Sequence, residues 1–348
     1  MKVLLLFIAV VLCRAVSSAQ KITISGFVKD EASKEALIGA SVVNANTKTG
    51  TSTNQYGFFS LTVPVTDTIE LIISYQGYKI QAKKILAKEN IRLDVLLESS
   101  ATTLGEVVVS SGKSDRNVQK AQMAVIDVPI KAIKNLPVLL GERDIMKIIQ
   151  LLPGVQGGQE GTTGFYVRGG NLDQNLVQLD EATVYNPNHL FGLFSTFNVN
   201  AINNVQLIKG GFPAEYGGRL SSILNITMKE GNKKKYQVEG GIGLLSNNLT
   251  VQGPIQKNKS SFIVSVRRSH IDLLLKAVGS AKTTSYKFYD VNAKMNFELG
   301  KKDHLFLSFF KGNDNAAYNN VNSLNYTTDF GNSTSTLRCN HLFGSKIF

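Results

Sequence analysis

The four histidines of this 348-residue chain, His189, His270, His304 and His341, are its obvious metal ligands and bases, and they lie far apart in no metal-ligand spacing. No H-E-x-x-H pair, paired-cysteine site or G-x-S-x-G nucleophile turn occurs. The glycine cluster Gly154, Gly157, Gly158, Gly161 and Gly164 lacks the Lys-Ser/Thr ending of a phosphate loop and reads as a plain glycine-rich loop. Cys339 reads as an inert strand residue. These patterns point to no enzyme, no metal site and no cofactor, so the chemistry of interest is that of recognition and docking.

The elements that would position such contacts begin with an export signal. Lys2 precedes the apolar run Leu4 to Leu12, and Ser17-Ser18-Ala19 offers the small residues of a cleavage site, which makes residues 1–19 a signal peptide. Lipid attachment at Cys13 is the weaker alternative, because bulky Leu12 precedes it. Cleavage removes Lys2 and Arg14 and lowers the formal charge from +12 to +10. The remaining cations are dispersed, without a basic stripe interleaved with aromatics, which argues against nucleic acid. Cleavage also leaves Cys339 as the one cysteine, so no internal disulfide is expected. No mature segment offers about twenty consecutive apolar residues, so entry into a membrane would require a barrel.

Residues 20–98 alternate apolar and polar positions in short runs bounded by turns, the pattern of a small β-sandwich. Gly26-Phe27-Val28-Lys29-Asp30, Ile38-Gly39-Ala40-Ser41-Val42, Gly50-Thr51-Ser52-Thr53-Asn54, Tyr56-Gly57-Phe58-Phe59 and Gly77-Tyr78 together resemble the carboxypeptidase-regulatory-like domain. That resemblance implies a transthyretin-like sandwich without catalysis, of the kind found at the front of many Bacteroidetes surface proteins. Residues 99–120 have linker composition around one apolar island, Glu106-Val107-Val108-Val109-Ser110. The island reads either as a last sandwich strand or as an extended β-branched peptide on a tether, suited to pairing with a partner's sheet edge.

Residues 121–231 read as a compact α/β unit. Ile145, Ile148, Ile149 and Leu152 fall at helical spacing before Pro153-Gly154. The series Leu152-Pro153-Gly154-Val155, Tyr166-Val167-Arg168-Gly169-Gly170, Gln174-Asn175-Leu176 with Asp180, Tyr185-Asn186, and Ile208-Lys209-Gly210-Gly211-Phe212-Pro213-Ala214-Glu215-Tyr216-Gly217-Gly218-Arg219 closely resembles the plug domain of TonB-dependent receptors. Glu181 departs from the pattern, since the family usually carries Gly there and a side chain alters a turn that accepts positive φ. The resemblance makes Glu106 to Ser110 a TonB box, the segment offered to the energy-coupling protein TonB. A plug must be held by polar contacts that can break, and Arg168, Glu215 and Arg219 are the expected docking residues. Gly169, Gly170, Gly210, Gly211, Gly217 and Gly218 are the expected turns. The loop with Tyr185, Asn186, His189 and Phe191 either faces ligand or packs.

Residues 232–348 alternate with period two. Val291, Ala293, Met295, Phe297 and Leu299 share one face, while Asn292, Lys294, Asn296 and Glu298 share the other. A soluble sheet packed on one side would alternate in the same way, so this pattern alone does not separate it from a membrane barrel. After a plug, the resemblance implies the start of an antiparallel transmembrane β-barrel. A plugged barrel has about 22 strands, and 113 positions from residue 236 hold only five or six, so the chain reads as a fragment with an incomplete barrel. The expected whole is a mostly β, multidomain outer-membrane receptor for TonB-energised uptake of a small-molecule, oligosaccharide, peptide or metal-chelate ligand, in contact with outer-membrane lipid. A non-transporting binding or adhesion protein and a signal-transducing receptor are the alternatives.

Overall fold

The computed structural model describes residues 21–100, 125–130, 143–158, 162–277, 284–300, 302–318, 325–345 and 347. The export signal 1–19 and the segment Glu106 to Ser110 lie outside the described residues.

The alternating runs of the N-terminal unit become β1 (Lys21–Asp30), β2 (Ser41–Asn44), β3 (Gly50–Ser52), β4 (Phe58–Pro64), β5 (Thr66–Ser74), β6 (Gln81–Ala87), β7 (Ile91–Arg92) and β8 (Val95–Leu97). One sheet runs β4-β1-β7 with β8 also on β1, and the other runs β3-β2-β5-β6. Period two sends Ile22, Ile24 and Val28 of β1, Leu61 and Val63 of β4, and Ile69, Leu71 and Ile73 of β5 into one apolar core between them. Each such side chain contributes about 1.5–3 kcal/mol by leaving water. At Gly26 the chain has no room for a side chain, because a Cβ there would lie 2.0 Å from the Leu93 carbonyl oxygen.

The next unit contains β9 (Val125–Pro129), α1 (Ile145–Ile149), β10 (Val155–Gly157), β11 (Phe165–Val167), β12 (Asn175–Leu179), β13 (Ala182–Thr183), β14 (Asn188–His189), β15 (Phe194–Ser195), β16 (Ile202–Ile208) and β17 (Ser222–Met228). Its main sheet has the order β13-β12-β17-β16-β9, with β12 parallel to β17 and the other pairs antiparallel. Asp144 caps α1 by accepting from the Met146 amide at 2.8 Å, and its other oxygen accepts from Ser195 N at 2.6 Å. The helical stripe packs Ile145 and Ile149 against Val177, Leu179, Val205, Leu207 and Leu224 of the sheet.

The last unit is an antiparallel meander of β18 (Gln237–Ile242), β19 (Ser246–Gln256), β20 (Ser260–Ser269), β21 (Thr284–Glu298), β22 (Asp303–Tyr318) and β23 (Tyr326–His341), with α2 (Ile271–Ala277) between β20 and β21. The sheet is open, and β18 and β23 are its edges. Its faces are the reverse of a soluble sheet's. Ser265, Arg267, Asp290, Asn292, Lys294, Asn296, Ser308 and Asp314 are buried against the plug-like unit. Val266, Met295, Leu307, Phe309 and Leu337 are exposed on the other side. Registers set Val266 opposite Val291, Met295 opposite Leu307, and Leu307 opposite Leu337, which makes a continuous apolar outer belt. A polar inside and an apolar outside are the requirement of a membrane barrel wall. Periodicity alone left this choice open; the direction of burial decides it.

The two ends of this wall differ. At one end, called the inner end below, few residues separate Gln256 from Ser260 and Glu298 from Asp303. The other end carries the longer connections 270–283 and 319–325 together with the turn 243–245. The sandwich sits at the inner end, where Lys29 Nζ lies 2.8 Å from Glu298 Oε1 and the Phe27 ring lies 5.4 Å from that of His304.

Replacing Gly26 with Ala is expected to destabilise the sandwich by about 1–3 kcal/mol through overpacking against Leu93. Faster hydrogen exchange confined to β1 and β4, with the plug sheet unchanged, is the expected reading; an unchanged β1 would contradict the close approach.

Candidate functional site

The plug-like unit meets the wall along a seam of paired polar groups. In the half away from the sandwich, the β14–β15 hairpin carries His189 into the wall. Its Nδ1 lies 2.6 Å from Asp314 Oδ2 and its Nε2 2.7 Å from Asp290 Oδ1, with the ring stacked 4.2 Å from Phe288. Arg267 donates from Nε to Asp290 Oδ2 at 2.7 Å and from Nη2 to the Ser195 carbonyl at 2.6 Å. The Tyr286 hydroxyl donates to Asp314. Both imidazole nitrogens face carboxylates, so the ring sits there as an imidazolium donating twice. Two cations then balance two buried carboxylates, the condition under which buried charge is tolerated. Burial alone would push His189 down, but Asp290 and Asp314 outweigh it and raise the group above its ordinary 6.5.

In the half nearer the sandwich, the β12–β13 turn does the same work. Lys294 Nζ lies 2.9 Å from Asp180 Oδ2 and donates to the Met228 carbonyl at 3.1 Å, while Asp180 Oδ1 accepts from Met228 N at 2.9 Å. Thr336 Oγ1 donates to the Asp180 carbonyl at 3.0 Å, and Arg338 Nη1 donates to Glu181 Oε1 at 2.9 Å. Between the two halves, Asn332 Nδ2 donates to the Asn186 carbonyl at 2.6 Å and Asn198 donates to Ser265 Oγ at 2.9 Å. Aromatic side chains of the wall complete the contact: Tyr286 and Phe288 pack on Phe194, and Phe310 reaches the plug core.

This seam differs from the docking expected at Arg168, Glu215 and Arg219. Arg168 and Glu215 are exposed, Arg219 donates to the neighbouring Gly218 carbonyl at 2.9 Å, and among the described residues none of the three has an ion pair with the wall. They follow β11 and β16 on turns that do not meet this sheet, whereas the β12–β13 turn and the β14–β15 hairpin do. Gly169, Gly210, Gly211 and Gly218 adopt positive φ, but Gly170 and Gly217 do not; a Cβ on Gly170 would instead meet Ser221 Oγ at 2.4 Å. In the loop that either faces ligand or packs, Tyr185 and Phe191 are exposed and Asn186 is tied to Asn332. His189 does not belong with them, since it is fully buried between two wall carboxylates. The wall partners Arg267, Asp290, Lys294 and Asp314 belong to no motif of the sequence. Their signal was present in the sequence as charges set on the inward face of long alternating strands.

Loss of the imidazolium by His189→Gln is expected to weaken docking of the hairpin by about 3–5 kcal/mol, since it leaves buried carboxylate unbalanced. The raised group contributes fully below its ordinary 6.5 and its contribution fades as pH rises through the raised value. Protection from hydrogen exchange at β14 and β15, corrected for the intrinsic rise of amide exchange with pH, should therefore fall only toward alkaline pH, and that dependence should vanish in the variant. A flat profile in the unmodified protein would contradict a protonated His189.

Residues 24–109 match the CarboxypepD_reg-like domain and residues 118–222 match the TonB-dependent receptor plug domain. The TonB-dependent receptor SusC of Bacteroides thetaiotaomicron is 40% identical over 108 residues, which cover 31% of this chain and 10% of that protein. The TonB-dependent receptor P26 of Formosa agariphila is 28% identical over 228 residues, covering 62% of this chain and 21% of that protein. The chain thus spans about a tenth and a fifth of the length of these curated relatives. Among solved structures, the outer membrane transporter YddB of Escherichia coli aligns with a TM-score of 0.46 at 14% identity, over 63% of this chain and 37% of that one. Among the described residues no helix is long and apolar enough to cross a membrane, which leaves crossing by strands open. The matched family is one of transport receptors rather than enzymes. The chain thus carries, in order, a CarboxypepD_reg-like domain, the plug domain of TonB-dependent receptors and a wall of strands, the arrangement of a TonB-dependent receptor of the outer membrane.

Proposed function

We propose that this chain serves TonB-energised uptake of a ligand across the outer membrane, with the plug gating the barrel. The observation that carries the reading is the seam itself. Plug and wall are joined mainly by ion pairs and hydrogen bonds, among them His189 with Asp290 and Asp314, and Asp180 with Lys294. Water can replace such contacts when the plug shifts, whereas an apolar core offers no comparable exchange. Short turns mark the periplasmic end of bacterial barrels and longer loops the outer end, so the sandwich lies on the periplasmic side. Ligand then arrives at the end where Tyr166, Asn186, Asn188, Phe191 and Phe330 line a cavity of about 470 Å³.

In this reading TonB pairs with Val107 to Val109 from the periplasm, and force derived from the inner-membrane proton gradient displaces the plug. Pairing by β-augmentation uses backbone N–H and C=O groups. Proline at position 108 removes a donor and disfavours the strand, so Val108→Pro is expected to lower affinity for the periplasmic domain of TonB by about tenfold or more. The measurement is a binding titration with the full-length receptor in outer-membrane vesicles. Unchanged affinity would remove Val107 to Val109 from the mechanism, and absence of any TonB binding would remove the reading.

A further inference from the structure

The turn joining β12 to β13 consists of Asp180 at φ +46° and Glu181 at φ +72°. Two-residue hairpin turns of this kind favour Asn-Gly or Asp-Gly, because the second residue accepts positive φ at no cost only when it is glycine. Glu181 is therefore held where a side chain is disfavoured, and its side chain does something a glycine could not. Its Oε1 accepts from Arg338 Nη1 of the wall at 2.9 Å, from the Tyr56 hydroxyl of the sandwich at 3.0 Å and from Gln55 Nε2 at 3.3 Å. The Arg338 guanidinium lies between two rings, 4.5 Å from Tyr56 and 4.3 Å from Phe306. One carboxylate on the plug thus gathers the sandwich and the wall into a single contact.

The same three bodies meet again nearby. Glu298 at the inner end of the wall receives both Lys29 of the sandwich and Lys233 of the chain leaving the plug, each at 2.8 Å. Glu35 of the sandwich accepts from Glu230 N at 2.8 Å, and the Ser33 carbonyl accepts from Lys233 N at 2.9 Å. A body bonded at once to a plug and to the wall around it opposes movement of one against the other.

We propose that the sandwich is a second, removable closure on the inner face of the plug, latched by Glu181 between Tyr56 and Arg338, which must undock before the plug can move. The proposal rests on the transport reading for its purpose and on these contacts for its existence. Residues 101–124 join the sandwich to β9, so tension on that stretch bears on the sandwich as well as on the plug. The polar make-up of the latch suits repeated opening, because Glu181 keeps contact with water and its pair with the half-buried Arg338 can exchange for water as it parts.

The test uses the full-length receptor in outer membranes and a zero-length carbodiimide cross-link between Lys29 and Glu298, quantified by mass spectrometry, as the report of docking. Glu181→Gly relaxes the turn while removing the latch, and should lower the cross-link yield about fivefold. Tyr56→Phe removes only a hydroxyl and should lower it in the same direction. Hydrogen exchange at Gln178 and Leu179 in β12 should rise in both variants. An unchanged cross-link yield in Glu181→Gly would overturn the latch. A lowered yield with unchanged exchange in β12 would equally overturn it, because the sandwich would then rest on the plug without holding it. Neither readout involves TonB or ligand, so failure of the transport reading would show separately, in the TonB titration.

Discussion

A sheet whose buried face carries Arg267, Asp290, Lys294 and Asp314 is stable only against a partner that satisfies every one of those groups. Leaving a single buried charge unpaired costs several kcal/mol, a large part of a domain's net stability. The wall therefore dictates what the plug must present, and the rest of the molecule follows. His189 has to carry its proton to stand between two carboxylates. Asp180 has to sit at a hairpin tip to reach Lys294. The outer face of the same strands is free to be apolar because it does not meet the plug.

Placing these groups demands unusual backbone. Asp180, Glu181 and Phe191 all adopt positive φ without being glycine, a cost of about 1–2 kcal/mol each where no side-chain bond compensates. At Asp180 the compensation is visible, since its carboxylate accepts from Met228 N and pairs with Lys294. Among the described residues, three of the seven non-glycine residues with positive φ thus lie in the two plug segments that touch the wall or line the outer cavity, and the five-stranded sheet behind them holds both segments in position.

Much of this architecture could be read from residue order, and the limits have physical causes. Period two marked β21 and its two faces, because alternation depends only on local backbone geometry. It could not tell which face was buried, since burial depends on what lies across the sheet. Asp180 was legible as a member of the plug motif and Glu181 as a departure from it, because the family usually carries Gly there. Their partners Lys294 and Arg338 were not, being 114 and 157 residues away along the chain. His189 read as a loop residue because its neighbours Asn186 and Phe191 are loop-like, while the carboxylates that bury it come from strands about a hundred residues further on. Arg168, Glu215 and Arg219 stand out because they fall in the plug motifs and Arg with Glu suits reversible docking; among the described residues they have no ion pair with this part of the wall. Standing out locally carries no information about what a turn will meet.

The distribution of interaction types gives each boundary its own strength. Inside the sandwich and inside the plug, apolar cores built around Ile24, Leu71 and Ile73, and around Ile145, Val205 and Leu224, carry the stability. These resist water, and separating them would unfold the unit. Between units the contacts are mostly charged and amide pairs, with aromatic rings such as Phe27 and Phe288 providing apolar area at the edges. Pulling on such an assembly should open the boundaries before the cores, because a polar pair can exchange its partner for water as it separates. The sequence thereby separates two tasks with two kinds of residue: aliphatic side chains keep each body intact, and ionisable side chains decide how readily the bodies part.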